Sequence, residues 1–418
     1  MTPTLYRQAL EHATGSPRQR ASREVALERF LANGLPTTRD EDWKYTALDL
    51  LAKAELHAPQ HPAEDWASED YPGIVMKFGN GRLTHSDAKA IHAHSLADHA
   101  DTPLVVRCLG LLADTLPGGA ALADINSALW QDGLLLHVPA GWKAAPLFVL
   151  HHAGEADAML HLRHLIVLEA GAEAVLVKHD RGSPGIPYWH NSVTEILLGE
   201  GARLTHLRLD EDSTAAVHTS LTLVRQARNS RYQSLSLNFG GRLTRHDIRA
   251  NLVADGAECR LDGLFIADAR RHVDQHLQIE HAAPSTTSRQ TWRGIAAGRG
   301  RGIYDARVLV QPGAIKADAA QSSRNLLLSP YAEIDVKPQL AIHADDVKCG
   351  HGATVGQLDE AQVFYLRSRG IEDDAARALL LRGFAGEALS MLEGTGLAGW
   401  LEPHLAAAIP APNRERMA

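Results

Sequence analysis

Residues 345–351, with the sequence DDVKCGH, bring two carboxylates, a lysine, a thiol and an imidazole into seven positions. If this segment is extended, side chains two positions apart point the same way. One face then carries Asp345, Val347, Cys349 and His351. A thiol and an imidazole both suit zinc or iron, and the carboxylate is a further possible ligand. The segment therefore has the donor types of a metal site.

Three interpretations of this segment stay open from the residues alone. The first is a polar segment with a purely structural role. The second is a cysteine nucleophile with a histidine base, which the nearly parallel side chains at alternate strand positions disfavour. The third is an incomplete metal site that another chain completes, because structural zinc takes four ligands and iron–sulfur clusters usually take four thiolates.

The cysteine content limits what this chain does alone. Cys108, Cys259 and Cys349 are too few to supply four thiolates. Their odd number and wide spacing argue against a disulfide framework and indicate a reducing compartment. Three other histidines suggest a metal site, but we interpret them as surface or satisfied polar positions: His272, His276 and His281.

Composition excludes several classes of protein. The 418 residues carry 42 Lys and Arg against 50 Asp and Glu, a net charge of −8 with no basic stripe, so nucleic-acid binding is not expected. No stretch reaches the ~18 apolar residues of a membrane helix. The N-terminal stretch also lacks the apolar region of a secretory signal. We expect a cytoplasmic protein without membrane contact.

Residues 134–340 consist of strand-length apolar runs separated by tight turns. The turns recur at Gly171, Gly201, Asn229 and Gly256, and helical periodicity is almost absent. Such irregular repeats predict a β-solenoid or a β-sandwich rather than alternating strands and helices. In a solenoid each turn buries its apolar row on the next, so the ends need caps.

Helical segments flank this β-rich region and fit such caps. We predict a helix over residues 22–36 with Val25, Leu27, Phe30 and Leu31 near one face. A strand, an Asn-Gly turn and a second strand follow over residues 73–86, and a short helix over residues 121–133. Two further helical segments are predicted over residues 358–370 and 371–394.

Several longer motifs resemble a known family. They are DEDWKYT (residues 40–46), DGLLLHVP (132–139), the run from residue 321 to 356 that contains DDVKCGH, FYLRSRGI (364–371) and LLLRGFAGE (379–387). Together they are similar to the SufB/SufD family of the SUF iron–sulfur cluster assembly machinery, and to its D-type members in particular.

The resemblance implies a mainly β fold with three parts. A right-handed parallel β-helix core would span residues 131–350. A mostly helical N-terminal domain with a short β-hairpin would span residues 1–130. A C-terminal helical domain over residues 351–418 would dock an ATPase subunit. The residue pattern agrees with the β-helix but does not by itself distinguish it from a sandwich.

The resemblance also implies a function. The chain would be a non-catalytic scaffold in a SufBCD complex, pairing with SufB through the β-helix and binding the SufC ATPase through its C-terminal domain. His351 and Cys349 would contribute to a transient iron or iron–sulfur site shared with SufB. Reduced FAD is linked to such complexes, and a homodimer is possible for the isolated chain. The residues expected to contact the ATPase are Phe364, Tyr365, Arg369 and Phe384.

Two sequence details bear on this interpretation. The turn at Tyr331 and Ala332 lacks the thiol that B-type members carry, which favours the D type. Gly350 stands where a serine is common in the family, and a glycine loosens the backbone there. The rival function is a stand-alone β-helix hydrolase or lyase that uses Asp345, Cys349 and His351.

Overall fold

The computed structural model describes residues 3–11, 13, 15–63, 69–116, 120–392 and 394–410. The α-helices in this part of the chain are α1 (Pro3–Glu11), α2 (Pro17–Asn33), α3 (Asp49–Lys53), α4 (Pro103–Cys108), α5 (Ala121–Leu129), α6 (Glu360–Ser368), α7 (Asp373–Gly386) and α8 (Ala398–Ala408). Short 3-10 helices include Glu41–Trp43 and Glu387–Leu392. Among the described residues, no helix has the length and apolar character needed to cross a bilayer.

The strands make up most of the chain. They are β1 (Ile74–Gly79), β2 (Arg82–Ser86), β3 (Ala93–Ser95), β4 (Leu134–Val138), β5 (Leu147–Ala153), β6 (Met159–Leu168), β7 (Glu173–Gly182), β8 (Trp189–Leu198), β9 (Arg203–Glu211), β10 (Val217–Gln226), β11 (Arg231–Asn238), β12 (Leu243–Leu252), β13 (Glu258–Ala267), β14 (His272–His281), β15 (Thr287–Ala296), β16 (Arg301–Val310), β17 (Asp318–Leu327), β18 (Glu333–Ile342) and β19 (Lys348–Gly356).

These strands wind into a β-solenoid of about eight turns. Each turn adds one strand to each of two sheets: β5 to β19 (odd numbers) form one sheet with β1 and β2, and β4 to β18 (even numbers) form the other with β3. Successive strands of a sheet pair in parallel, as where Val217 of β10 lies opposite Leu243 of β12. This parallel pairing distinguishes a β-solenoid from a β-sandwich, because a sandwich is built from antiparallel strands. The mainly β fold with helical regions at both ends of the chain is confirmed.

The predicted turn positions are the corners of this solenoid. Gly171, Gly201 and Gly256 have φ values of 67°, 66° and 71°, and Asn229 has a φ of 53°. Glycine adopts this left-handed region without a steric penalty, and asparagine tolerates it. These residues therefore allow the chain to turn sharply between the two sheets.

The N-terminal end of the solenoid is closed by antiparallel strands. β1 and β2 form the predicted hairpin, with Asn80 and Gly81 at φ values of 46° and 81°. Two positive φ values in a two-residue loop are typical of a type I′ turn. β3 pairs antiparallel with β4 and closes the other sheet.

Two predicted helices have different bounds in the structure. α2 begins at Pro17 rather than at residue 22, because Ser16 and Gln19 form a capping box there. Val25 is 57% exposed, so its predicted place on the buried face is wrong, whereas Leu27 and Phe30 are buried. α5 ends at Leu129, before the predicted end at residue 133.

The helical regions lie along the sheets, so the expected caps at the solenoid ends are wrong. α1, α2, α3 and α5 share an apolar cluster with Met159 and Trp189 on the even-numbered sheet. α7, α8 and the 3-10 helix between them pack on outward residues of the odd-numbered sheet, including Leu207 and Leu235. Outward apolar residues in mid-sheet, rather than the ends, provided the surface that these helices bury.

Candidate functional site

The solenoid ends on an open turn formed by β18 and β19. Among the described strands, β18 pairs only with β16, and β19 pairs only with β17. Each therefore has one edge whose backbone groups lack a strand partner. Ile342 and Val355 are in register with Val310 and Asn325, and they are 42% and 44% exposed. This open turn combines two exposed apolar side chains with two free edges, which suits it to cover by another chain.

Cys349 and His351 lie on this open turn. They are in register with Ala319 and Gln321 of β17, both of which are buried. Their side chains therefore leave β19 on its inner face, as expected for alternate positions of a strand. His351 is exposed and Cys349 is half-buried.

Asp345 does not share the strand with them, so this part of the prediction is wrong. The chain bends at Asp345 and Asp346, and Asp346 has a φ of 53°. β19 begins only at Lys348. The period-two argument fails across this bend because it requires an unbroken extended backbone. Asp345 is exposed at the corner of the solenoid.

The environment of Cys349 favours the protonated thiol. It packs beside an apolar cluster that includes Val308, Val310 and Ala319. Burial raises the pKa of the Cys349 thiol above its ordinary value. A nucleophilic cysteine needs the opposite shift, since the thiolate is the reactive form.

Cys349 and His351 do not belong to a set of three ligands in the described part of the structure. In the described part of the chain, several sets of three metal-ligating side chains have their ligand atoms within 4.8 Å of one another, and none contains either residue. Gly350, between them, lies in β19, and an added Cβ there would have no atom within 4 Å. The serine that is common at this position in the family would therefore fit without rearrangement of its neighbours.

The predicted ATPase-contact residues divide into two groups. Phe364 and Tyr365 of α6 are 71% and 57% exposed, and the guanidinium of Arg369 lies 5.1 Å from the Tyr365 ring. Phe384 of α7 is half-buried against the cluster beneath α7 and α8, with the Arg293 guanidinium 5.7 Å from its ring. The first group is available to a partner, and Phe384 mainly anchors α7 to the solenoid.

A histidine on α8 ties the C-terminal region to the solenoid. The His404 ring nitrogens lie 2.9 Å from Glu69 and 3.1 Å from Glu211, and His179 lies 2.8 Å from Glu211. Burial opposes a charge on this ring, but the two carboxylates outweigh it and raise the pKa of His404 to about 9. His404, Glu69, Glu211 and His179 are called the His404 cluster below.

The interior of the first turns holds an unexpected set of buried polar residues. We call it the interior polar array: His151, Lys178, Asp180, His190, Arg208, Asp210, Asp212, His218 and His246. Stacked strands bring them together, since His151 is in register with Asp180 and His190 with His218. Burial opposes a charge on His218, but Asp210 and Asp212 raise its pKa to about 10. Burial lowers the pKa of His151 to about 4.

This array was not predicted from the sequence. Its signal is present as polar residues at alternate positions of apolar strands, such as Lys178 and Asp180, or Asp210 and Asp212. Recognising it requires knowing which face of each strand points inward. Of the histidines that were singled out instead, His281 bonds to Thr286 and Ser288 at 2.8 Å each, as expected for a satisfied polar position.

Comparison with known proteins identifies the family. Residues 149–384 match the family model described as "SUF system FeS cluster assembly, SufBD core domain". This chain belongs to the SufB/SufD family. The matched range covers the solenoid from β5 onward and extends into α7.

Individual members of the SufB/SufD family match over most of their length. The chain is 30% identical to the iron–sulfur cluster assembly protein SufD of Escherichia coli over 379 residues, 89% of this chain and 88% of that protein. It is 30% identical to a SufBD family iron–sulfur cluster assembly protein of Synechocystis over 411 residues, 91% of this chain and 88% of the relative. The similarity therefore includes the helical regions as well as the solenoid.

Proposed function

We propose that this chain is a non-catalytic, D-type scaffold subunit of a cytoplasmic SUF complex that pairs with SufB through its open solenoid turn. The observation that carries the proposal is the uncovered end at β18 and β19, where apolar side chains and unpaired strand edges occur together. A second β-helix subunit has the matching architecture to extend both sheets and bury Ile342 and Val355.

Iron or a nascent iron–sulfur cluster would be the cargo of this interface. His351 would supply an imidazole nitrogen and Cys349 its sulfur, and SufB would supply the remaining ligands. The ligand count supports a shared site, because two donors on one strand do not close a metal centre. The half-burial of Cys349 makes His351 the more accessible ligand.

The C-terminal helices would dock the SufC ATPase. The exposed aromatic rings of Phe364 and Tyr365 support this assignment, since exposed aromatic side chains and arginines are enriched at protein interfaces. The buried contacts of α7 and α8 with the odd-numbered sheet would transmit movement of the docked ATPase to the solenoid.

Two observations favour the scaffold over a hydrolase or lyase that uses the same residues. Asp345 lies outside β19, beyond the bend that ends the shared face. The raised pKa of Cys349 leaves the weakly nucleophilic thiol as the dominant form. The enzyme alternative requires a thiolate and an orienting carboxylate together.

Substitution of His351 tests the shared site. We expect His351→Ala, co-expressed with SufB and SufC, to leave the complex assembled but to lower the visible absorption of the cluster after anaerobic reconstitution by ~10-fold or more. The matched control is His343→Ala, an exposed histidine directly after β18.

The outcomes separate the possible roles of His351. Equal cluster yields in His351→Ala and His343→Ala would rule out His351 as a ligand. Dissociation of the complex in His351→Ala would assign this residue a structural role in pairing. Turnover of a substrate by the isolated chain would support the enzyme alternative.

A further inference from the structure

The interior polar array contains three sets of metal-ligating side chains that the proposed function does not use. Each set consists of two histidines and one aspartate, with ligand atoms within 4.8 Å of one another: His151, Asp180 and His190; His190, Asp212 and His218; His218, Asp210 and His246. Neighbouring sets share a histidine. All seven residues are buried in the solenoid, far along the sheets from the open turn.

Several ring nitrogens of the array lack partners. Within the described part of the chain, the Nε2 atoms of His151, His190 and His218 have no hydrogen-bond partner, although these residues are only 3%, 2% and 0% exposed. A buried polar atom without a partner indicates a bound water or ion. The Nδ1 atom of His151 lies 2.7 Å from Asp180, an arrangement that orients metal-binding histidines in other proteins.

The other two sets are held more tightly by their neighbours. In the second set, the oxygens of Asp212 are engaged by the Tyr188 hydroxyl at 2.5 Å and by His218 Nδ1 at 2.6 Å. In the third set, both ring nitrogens of His246 are engaged, one by Asp210 at 3.1 Å and the other by Ser220 and Arg208. In the first set, the Oδ2 atom of Asp180 faces Lys178 at a longer distance of 3.3 Å, so this carboxylate is the most available to an ion.

We propose that His151, Asp180 and His190 bind a divalent transition-metal ion inside the solenoid. Two imidazoles and one carboxylate are a donor set that zinc and ferrous iron both accept, with further positions left for water. No thiolate takes part, so this site is distinct from Cys349 and His351. It does not depend on pairing with SufB.

Metal analysis of the full-length chain tests this site. The residues are sealed from solvent, so the ion is expected to enter during folding. We expect protein from cells grown with added zinc or iron to retain one equivalent of metal after dialysis against a chelator. Protein from cobalt-grown cells is expected to show the visible absorption of a nitrogen- and oxygen-ligated Co²⁺ ion.

Variants locate the ion. His151→Gln is expected to lower the retained metal by ~10-fold or more, and Asp180→Asn serves as a second, isosteric variant if the first fails to fold. The matched control is His281→Gln, a buried histidine outside the array with both ring nitrogens bonded. This control is expected to keep the metal.

Two results would overturn the proposal. One is wild-type protein without retained zinc, iron or cobalt, which would assign the free nitrogens to bound water. The other is full metal content in folded His151→Gln or Asp180→Asn protein.

Discussion

At the scale of single residues, Glu195 shows how one buried carboxylate organises a loop. It is fully buried, accepts backbone N–H bonds from Gly110 and Leu112 at 2.8 Å each, and pairs with Arg163 at 2.6 Å. We expect Glu195→Gln to lower the free energy of unfolding by about 3 kcal/mol, because Arg163 would keep a buried, uncompensated charge. The shift of the urea unfolding midpoint measures this loss.

The control for Glu195 is an exposed ion pair. Glu173 lies 3.1 Å from Lys143, and the side chains of Glu173 and Lys143 are 35% and 74% exposed. Glu173→Gln is expected to change the free energy of unfolding by less than ~1 kcal/mol. Equal effects of the two substitutions would contradict the assigned role of Glu195.

At the scale of elements, the His404 cluster makes the attachment of α8 depend on pH. Because the pKa of His404 rises from 6.5 to about 9 on folding, the protonated ring stabilises the fold fully below pH 6.5, and this contribution is lost as the pH rises through about 9. We expect the unfolding midpoint of the wild type to fall over this window. His404→Gln is expected to flatten the fall, and identical pH profiles would contradict the cluster's role.

At acid pH the His404 cluster changes stability in the opposite direction, because its contribution falls as the pH falls. Burial opposes charged carboxylates here, but hydrogen bonds from His404 and neighbouring groups lower the pKa values of Glu69 and Glu211 from 4.5 to about 2. Their contribution is complete above pH 4.5 and is lost as the pH falls toward 2. The attachment of α8 is therefore expected to be strongest between these two windows.

At the scale of the whole molecule, the asymmetry between the two solenoid ends determines how the chain associates. Antiparallel strands close the N-terminal end, whereas the open turn exposes Val355. We expect Val355→Asp to abolish pairing with SufB in co-purification, because a buried, unpaired carboxylate opposes association. Self-association of the isolated chain through the same edges is expected to be lost as well, which light scattering measures.

The control for Val355 is another exposed valine. Val25 is 57% exposed on α2, away from the open turn. Val25→Asp is expected to leave pairing intact. Pairing that survives Val355→Asp, or that fails in both variants, would show that the open turn is not the interface.

Local features of the fold were predictable because each depends on a few neighbouring residues. Asn80 and Gly81 determine a hairpin turn, and Gly171 and Gly201 mark corners of the solenoid. The donor types of Cys349 and His351 were likewise predictable from one short segment. So was the conclusion that these donors are too few for a complete metal site.

Tertiary structure decided the features that depend on contacts between residues about thirty positions apart in the chain. Parallel stacking places His190 on His218 and builds the interior polar array, which single strands do not reveal because their inward faces are unknown. It also places the helices on the sheets and leaves β19 uncovered. The sequence by itself thus determined turns, ligand types and family, since these are local chemistry. Burial, register and the open end arose only from how successive turns stack.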